Sequence, residues 1–112
     1  MYSHLLGKLF SDSPVGKDGA YPAEPIRDFI EQMYYEDFLE LKKSYVNSEF
    51  NKRGVYYYNA GENTYELALS YQKNMEDLEL FYPQTAQIFG ELYLIYKEQA
   101  IAERRSAEHG IG

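Results

Sequence analysis

The chain contains no cysteine and no tryptophan, and only two histidines among 112 residues. Without cysteine there is no disulfide, no thiolate nucleophile and no cysteine-ligated metal, and the composition suits a reducing, cytoplasmic setting. The histidines, His4 and His109, sit near opposite ends. No Glu-x-x-His pair exists, the element a di-iron helical bundle needs, so neither a metal nor another cofactor is expected. Positive charge is scarce as well: 11 Lys and Arg against 18 Asp and Glu, a net −7. That balance excludes nucleic acid as the natural partner, because Lys and Arg meeting phosphates supply most of that affinity. It excludes an anionic membrane surface for the same reason. No apolar run approaches the roughly 20 residues of a membrane span. The opening MYSHLLGKLFSDSP lacks a basic n-region followed by an apolar h-region, so no signal peptide is expected.

What the chain has in excess is tyrosine, 13 residues. A phenol pairs an apolar ring with a polar tip and suits half-buried positions and interfaces. The apolar spacing is helical. Leu5, Leu6, Leu9 and Phe10 lie one turn apart, and the Pro- and Gly-rich stretch SDSPVGKDGAYPAEP follows as loop. Residues 1–24 therefore read as an N-terminal arm and loop, docked on the body or on a second subunit, and residues 25–112 as one helical domain. Pro25 suits a first helical turn. From there Ile26, Phe29, Ile30, Met33, Tyr34, Phe38, Leu41 and Tyr45 repeat at three and four, which predicts a helix over about 25–46. The pattern fails at Asn47-Ser48-Glu49. A break is expected there, then a short helical segment near 48–58.

The stretch VYYYNAGENTYELALSYQKN, 55–74, admits two readings. Three consecutive tyrosines suit a strand, and Asn-Ala-Gly suits a hairpin turn. However, Asn63-Thr64-Tyr65-Glu66 has the form of a helix N-cap with glutamate three residues on. Tyr65, Ala68, Tyr71, Met75, Leu78 and Tyr82 then continue helically. A lone strand at 55–58 would leave its backbone unpaired, so the favoured reading ends a helix at the tyrosines, with Gly61 in a helix–helix turn. The hairpin is the alternative. A helix over about 64–82 ends near Pro83, and Ile88, Phe89, Leu92, Tyr93, Ile95, Tyr96 and Ala100 mark another over about 84–107. The expected fold is an all-α bundle of three main helices.

Gly54-x-x-Tyr57, Gly61, Tyr65-x-x-Ala68 and Pro83 resemble the order of small and aromatic positions in a tetratricopeptide repeat. Phe89-Gly90-x-x-Tyr93 restarts the order, with Gly90 standing 36 positions after Gly54, against a family period of about 34. The family's tryptophan and second alanine are missing, and only about one and a half repeats are covered, where about three are needed for stability. The resemblance implies a helical hairpin. Were it to extend to function, it would place a concave peptide-binding side at Asn51, Tyr58, Gln87 and Glu91.

Catalytic patterns are missing. GKDG at 16–19 lacks the upstream glycine and the hydroxyl residue of a phosphate loop. No histidine stands in a recognisable context beside a serine, so an enzyme is not expected. Projected at about 100° per residue along a continuous 25–46 helix, Asp37 falls inside the apolar face. It is either partnered there, exposed by a shift of the helix, or a working carboxylate facing a pocket or an interface. Glu36, Asp37 and Glu40, with Asp28 and Glu31 upstream, form an acidic group, either a solvated face or a match for a basic partner. Apolar residues also stand off each main stripe: Tyr35 with Leu39, Leu69 with Leu80, Leu94 with Ile101. They call for a covering arm or a second chain, such as a homodimer.

Three functional expectations follow. The first is a small acidic protein-binding module (a regulator, an inhibitor of the immunity type, or an adaptor). It would bind another protein with a basic surface through Tyr35, Glu36, Asp37, Leu39, Glu40 and Tyr58. The second is an assembly subunit of a larger complex such as a phage particle. The third is a small-ligand protein with Asp37 in a pocket.

Overall fold

The computed structural model describes residues 3–53 and 62–108. Five helices, α1 Ser3–Phe10, α2 Glu24–Glu31, α3 Tyr35–Arg53, α4 Glu62–Leu78 and α5 Pro83–Glu108, account for the regular structure of these residues, with no strand among them. The all-α class expected from periodicity is the observed one. Whether 55–58 is strand or helix lies outside the described residues, as does Tyr58.

The N-terminal segment docks on its own chain, with α1 packed against α3. Its closest approach is at Gly7, where a Cβ would lie 2.5 Å from the Leu41 carbonyl oxygen and 2.7 Å from both the Ser44 Cβ and the Tyr45 nitrogen. Only glycine lets the two helices come this close. Leu6 and Phe10 then reach the core, and Phe10 meets Phe29 edge-on at 5.7 Å.

The first expected long helix is two helices. The break falls at 32–34, and α3 runs unbroken through Asn47-Ser48-Glu49. At the break the Gln32 and Met33 amides bond three residues back, to Phe29 and Ile30. This tightened last turn is a common way to end a helix. The Ile30 carbonyl is also capped by Gln84 Nε2 at 2.7 Å. Continuity at 47–49 has a cause the sequence pattern hid. Glu49 is buried on the core face, where its carboxylate accepts a hydrogen bond from the Tyr71 hydroxyl at 3.0 Å.

α4 and α5 pack along their lengths as an antiparallel hairpin, with Thr64 at the start of α4 donating to Glu103 near the end of α5. Pro83 opens α5 as expected, one residue from the predicted start. The start of α5 is capped across the molecule. The Glu31 carboxylate accepts from the Gln84 amide at 3.1 Å, and from the Thr85 amide and hydroxyl at 2.7 and 2.8 Å. Carboxylate charge at a helix N-terminus is favourable, and these amides have no partner within the helix. Glu31→Ala is expected to destabilise the fold by about 1–2 kcal/mol. Urea denaturation reads this directly; an unchanged midpoint would show that water replaces the cap at no cost.

The core joins α3 to the α4–α5 hairpin through Phe38, Leu41, Tyr45, Ala68, Tyr71, Leu78, Ile88, Phe89, Leu92 and Tyr96, all buried. At its centre is an aromatic cluster. Tyr45 meets Phe89 edge-on at 5.6 Å, and Tyr71 stacks on Tyr96 at 5.7 Å.

Candidate functional site

Arg27 organises the loop between α1 and α2. Its side chain is fully buried, a rare state for a guanidinium. Nε donates to the Pro22 carbonyl at 2.6 Å, Nη2 to the Ala20 carbonyl at 3.0 Å, and Nη1 and Nη2 grip both Asp18 oxygens at 2.8 and 2.6 Å. The Tyr82 ring lies 5.0 Å from the guanidinium carbon. The hydrogen bond from Arg27 holds the Asp18 carboxyl well below the usual carboxylate range, and the same bond raises Arg27 further. The GKDG stretch is thus a turn wrapped around an internal arginine. Its Gly19 sits at φ +85°, where an L side chain is strained.

The loop is pinned to α4 as well. Asn74 accepts from the Tyr21 amide at 2.7 Å and donates to the Tyr21 carbonyl at 2.8 Å. Between loop and α4 lies a cleft of about 600 Å³. Its floor is Tyr45, Glu49, Tyr71 and Phe89. The loop contributes Ser11, Ser13, Gly19 and Tyr21; α4 contributes Ser70, Lys73, Asn74 and Asp77. Lys73 is bonded to Asp77 at 2.8 Å, which raises the lysine pKa and offsets its charge. Burial first, and then the charge of Glu49, push the Tyr45 phenol up. It stays neutral at any physiological pH.

Five of the six residues predicted to meet a partner fall in the first two turns of α3. Tyr35, Glu36, Leu39 and Glu40 are exposed, and Asp37 is half-buried. The break at 32–34 changes what Asp37 does. Its projection assumed one continuous helix, whereas Asp37 stands in the first turn of α3 with Glu36. There Glu36 and Asp37 favour the helix through its dipole. Asp37 does not line the 600 Å³ cleft; the carboxylate on that floor is Glu49. Among the described residues no group of three or more His, Cys, Asp and Glu side chains is placed to hold a metal ion. No described helix is long and apolar enough to cross a membrane.

Two features of the surface were only partly visible in sequence. All six off-stripe apolar residues, Tyr35, Leu39, Leu69, Leu80, Leu94 and Ile101, are exposed. The turns on either side of the Glu31–Gln84 contact between α2 and α5 also carry exposed apolar residues, Tyr34 after α2 and Leu80 and Phe81 before α5, at 84%, 80% and 75% exposure. Periodicity assigned Tyr34 to the core. The turn that ends α2 turns it outward instead.

No protein-family model matches the chain, no curated protein matches it in sequence, and no solved structure matches it. Of the positions singled out by the tetratricopeptide resemblance, Asn51, Gln87 and Glu91 are exposed, and Glu91 lies 3.6 Å from Lys42 of α3.

Proposed function

We propose that this chain is a small acidic protein-binding module that works by surface contact, and that its contact face is the α2–α5 end continued along the first turns of α3. The observation that carries this reading is the strong exposure of Tyr34, Leu80 and Phe81, which stand three or four residues along the chain from the Glu31–Gln84 contact between α2 and α5. Glu36 and Glu79 stand next to Tyr35 and Leu80 in the chain, Glu40 lies one helical turn beyond Glu36, and all three are exposed. Large aromatic and aliphatic anchors beside like charges suit a partner that offers an apolar pocket rimmed by Lys and Arg.

The test is co-precipitation from native extract with wild type, Phe81→Ala and the Glu36→Lys/Glu40→Lys pair, at low and high salt. One partner should be held by wild type and weakened by rising salt. Phe81→Ala is expected to cost about 2 kcal/mol of binding, and the charge reversals about tenfold in affinity, mostly through slower association. Circular dichroism should be unchanged in both variants. A partner that binds all three proteins alike would sink the proposal.

A second reading has its own observation. Tyr65, Leu69, Leu94 and Ile101 are exposed on the α4–α5 hairpin, away from the proposed end. This is the surface for self-association in an assembly subunit or homodimer. Light scattering on wild type decides it: a monomeric mass across the accessible concentration range removes the reading.

A further inference from the structure

The turn around Arg27 holds chemistry that the surface contact proposed above does not use. An aspartate followed by glycine is prone to a spontaneous backbone rearrangement. The amide nitrogen of the following residue attacks the aspartyl side-chain carbon, and glycine has no side chain to obstruct the approach. Asp18-Gly19 is such a pair, and space is open around it: a Cβ built on Gly19 would meet nothing within 4 Å. Asp18 is half exposed, so water has access to complete the reaction.

The bonds around the pair oppose the rearrangement. The carbon attacked is Cγ of Asp18, and Arg27 grips both of its oxygens, at 2.8 and 2.6 Å. One of them also accepts from the Ala20 amide at 3.1 Å. An oxygen can leave as water only after the carboxyl takes up a proton, and hydrogen bonds from a guanidinium favour the ionised form. The nucleophile is engaged as well. The Gly19 amide donates to the Gly16 carbonyl at 3.0 Å, and the Gly16 amide donates to the Ala20 carbonyl at 2.8 Å. Arg27 is itself buried and anchored on the Pro22 and Ala20 carbonyls, so its grip on Asp18 is not a mobile surface ion pair.

We propose that Asp18-Gly19 is a latent site of isoaspartate formation, held inert by the Arg27 clamp. When the clamp opens, the Gly19 nitrogen bonds to Asp18 Cγ. The nitrogen's proton and the hydroxyl of the protonated carboxyl leave together as water, which closes a succinimide ring. One water then adds back. Addition at Cγ restores aspartate; addition at the main-chain carbonyl carbon of Asp18 leaves the backbone running through the side chain. The composition is unchanged, and no oxidant or cofactor is involved. Isoaspartate lengthens the backbone by one methylene and moves the carboxylate onto Cα, so it no longer fits the fork of Arg27. The modified loop stays open.

The experiment is ageing of the full chain in heavy-oxygen water, with the Asp18 segment followed by mass spectrometry and its isoaspartyl form separated by chromatography. Each ring opening inserts a heavy oxygen. The reference is a blocked peptide of residues 13–23, which has the pair and lacks the clamp. Native wild type should react at least about tenfold more slowly than the peptide. Arg27→Lys, whose ammonium cannot hold both oxygens in a fork, should react at least about tenfold faster than wild type. Wild type in enough urea to match the stability of that variant should keep its slow rate, which separates the clamp from general unfolding. Asp18→Asn is an independent check. Its Asn-Gly pair closes the same ring with ammonia leaving, and its protection relative to its own peptide should be smaller than that of wild type by about tenfold. Three results would each overturn the proposal: wild type as fast as the peptide, a folded Arg27→Lys at the wild-type rate, or wild type in matching urea as fast as the variant. If Arg27→Lys does not fold, Asp18→Asn decides, and protection equal to that of wild type overturns the clamp.

Discussion

Arg27→Ala is expected to destabilise the protein by about 3 kcal/mol, a large part of what a domain of this size has in reserve. The guanidinium satisfies the Pro22 and Ala20 carbonyls and both Asp18 oxygens from a position with no access to water. Truncation removes these bonds together and leaves a void beside Tyr82. Urea denaturation of the folded variant gives the figure, and a loss under about 1 kcal/mol would mean that the loop holds itself. The pH dependence has a definite sign. Asp18 is held below its unfolded pKa by Arg27. Its contribution is therefore complete above the unfolded value, about pH 4, and is lost as acid titrates the carboxyl toward its lower folded value. Asp18→Asn should be less stable than wild type at neutral pH, and the gap should close as pH falls below about 4. Because Asp18 is half exposed, salt should narrow the gap too.

For Gly7→Ala the expected sign opposes helix propensity. Alanine in an isolated helix gains about 1 kcal/mol over glycine. Here a loss of about 2 kcal/mol is expected, because the added methyl meets the backbone of α3. The Leu41 oxygen and Tyr45 nitrogen belong to a hydrogen-bonded helix and cannot move aside as a flexible side chain would. Displacement of α1 would lift Leu6 and Phe10 from the core and break the Phe10–Phe29 contact. Hydrogen exchange should show faster exchange across Ser3–Phe10 than in wild type, along with a lower urea midpoint. Equal or higher stability would place α1 outside the cooperative fold.

How far the fold could be read in advance differed by element. Pro83 located the start of α5 and the apolar spacing located the body of α4, because both signals act locally; α4 itself ends at Leu78, short of the expected 82, with exposed Leu80 and Phe81 in the turn before Pro83. The first break was placed wrongly for a physical reason. Met33 and Tyr34 are apolar and at helical spacing, and no glycine or proline marks the turn. What supports it is Gln84 on Ile30 and Glu31 on α5, partners more than fifty residues away. The error at 47–49 is its mirror image. A buried glutamate looks like a failed pattern until Tyr71 is brought to it. The same blindness hid the cleft, whose floor combines α3, α4 and α5. Arg27 gave no signal at all, since arginine usually lies at the surface. The exposed group on α3 was legible because its residues are neighbours along one helix.

The aromatic cluster of Tyr45, Tyr71, Phe89 and Tyr96 has an optical consequence. With no tryptophan in the chain, near-ultraviolet circular dichroism comes from tyrosine, with a minor share from phenylalanine. Rings held in one chiral packing contribute strongly, while freely turning rings such as exposed Tyr34 average toward zero. The protein thus carries a native chromophore at the junction of α3 with the α4–α5 hairpin. Its signal tracks tertiary packing separately from the helical far-ultraviolet signal, without any added label.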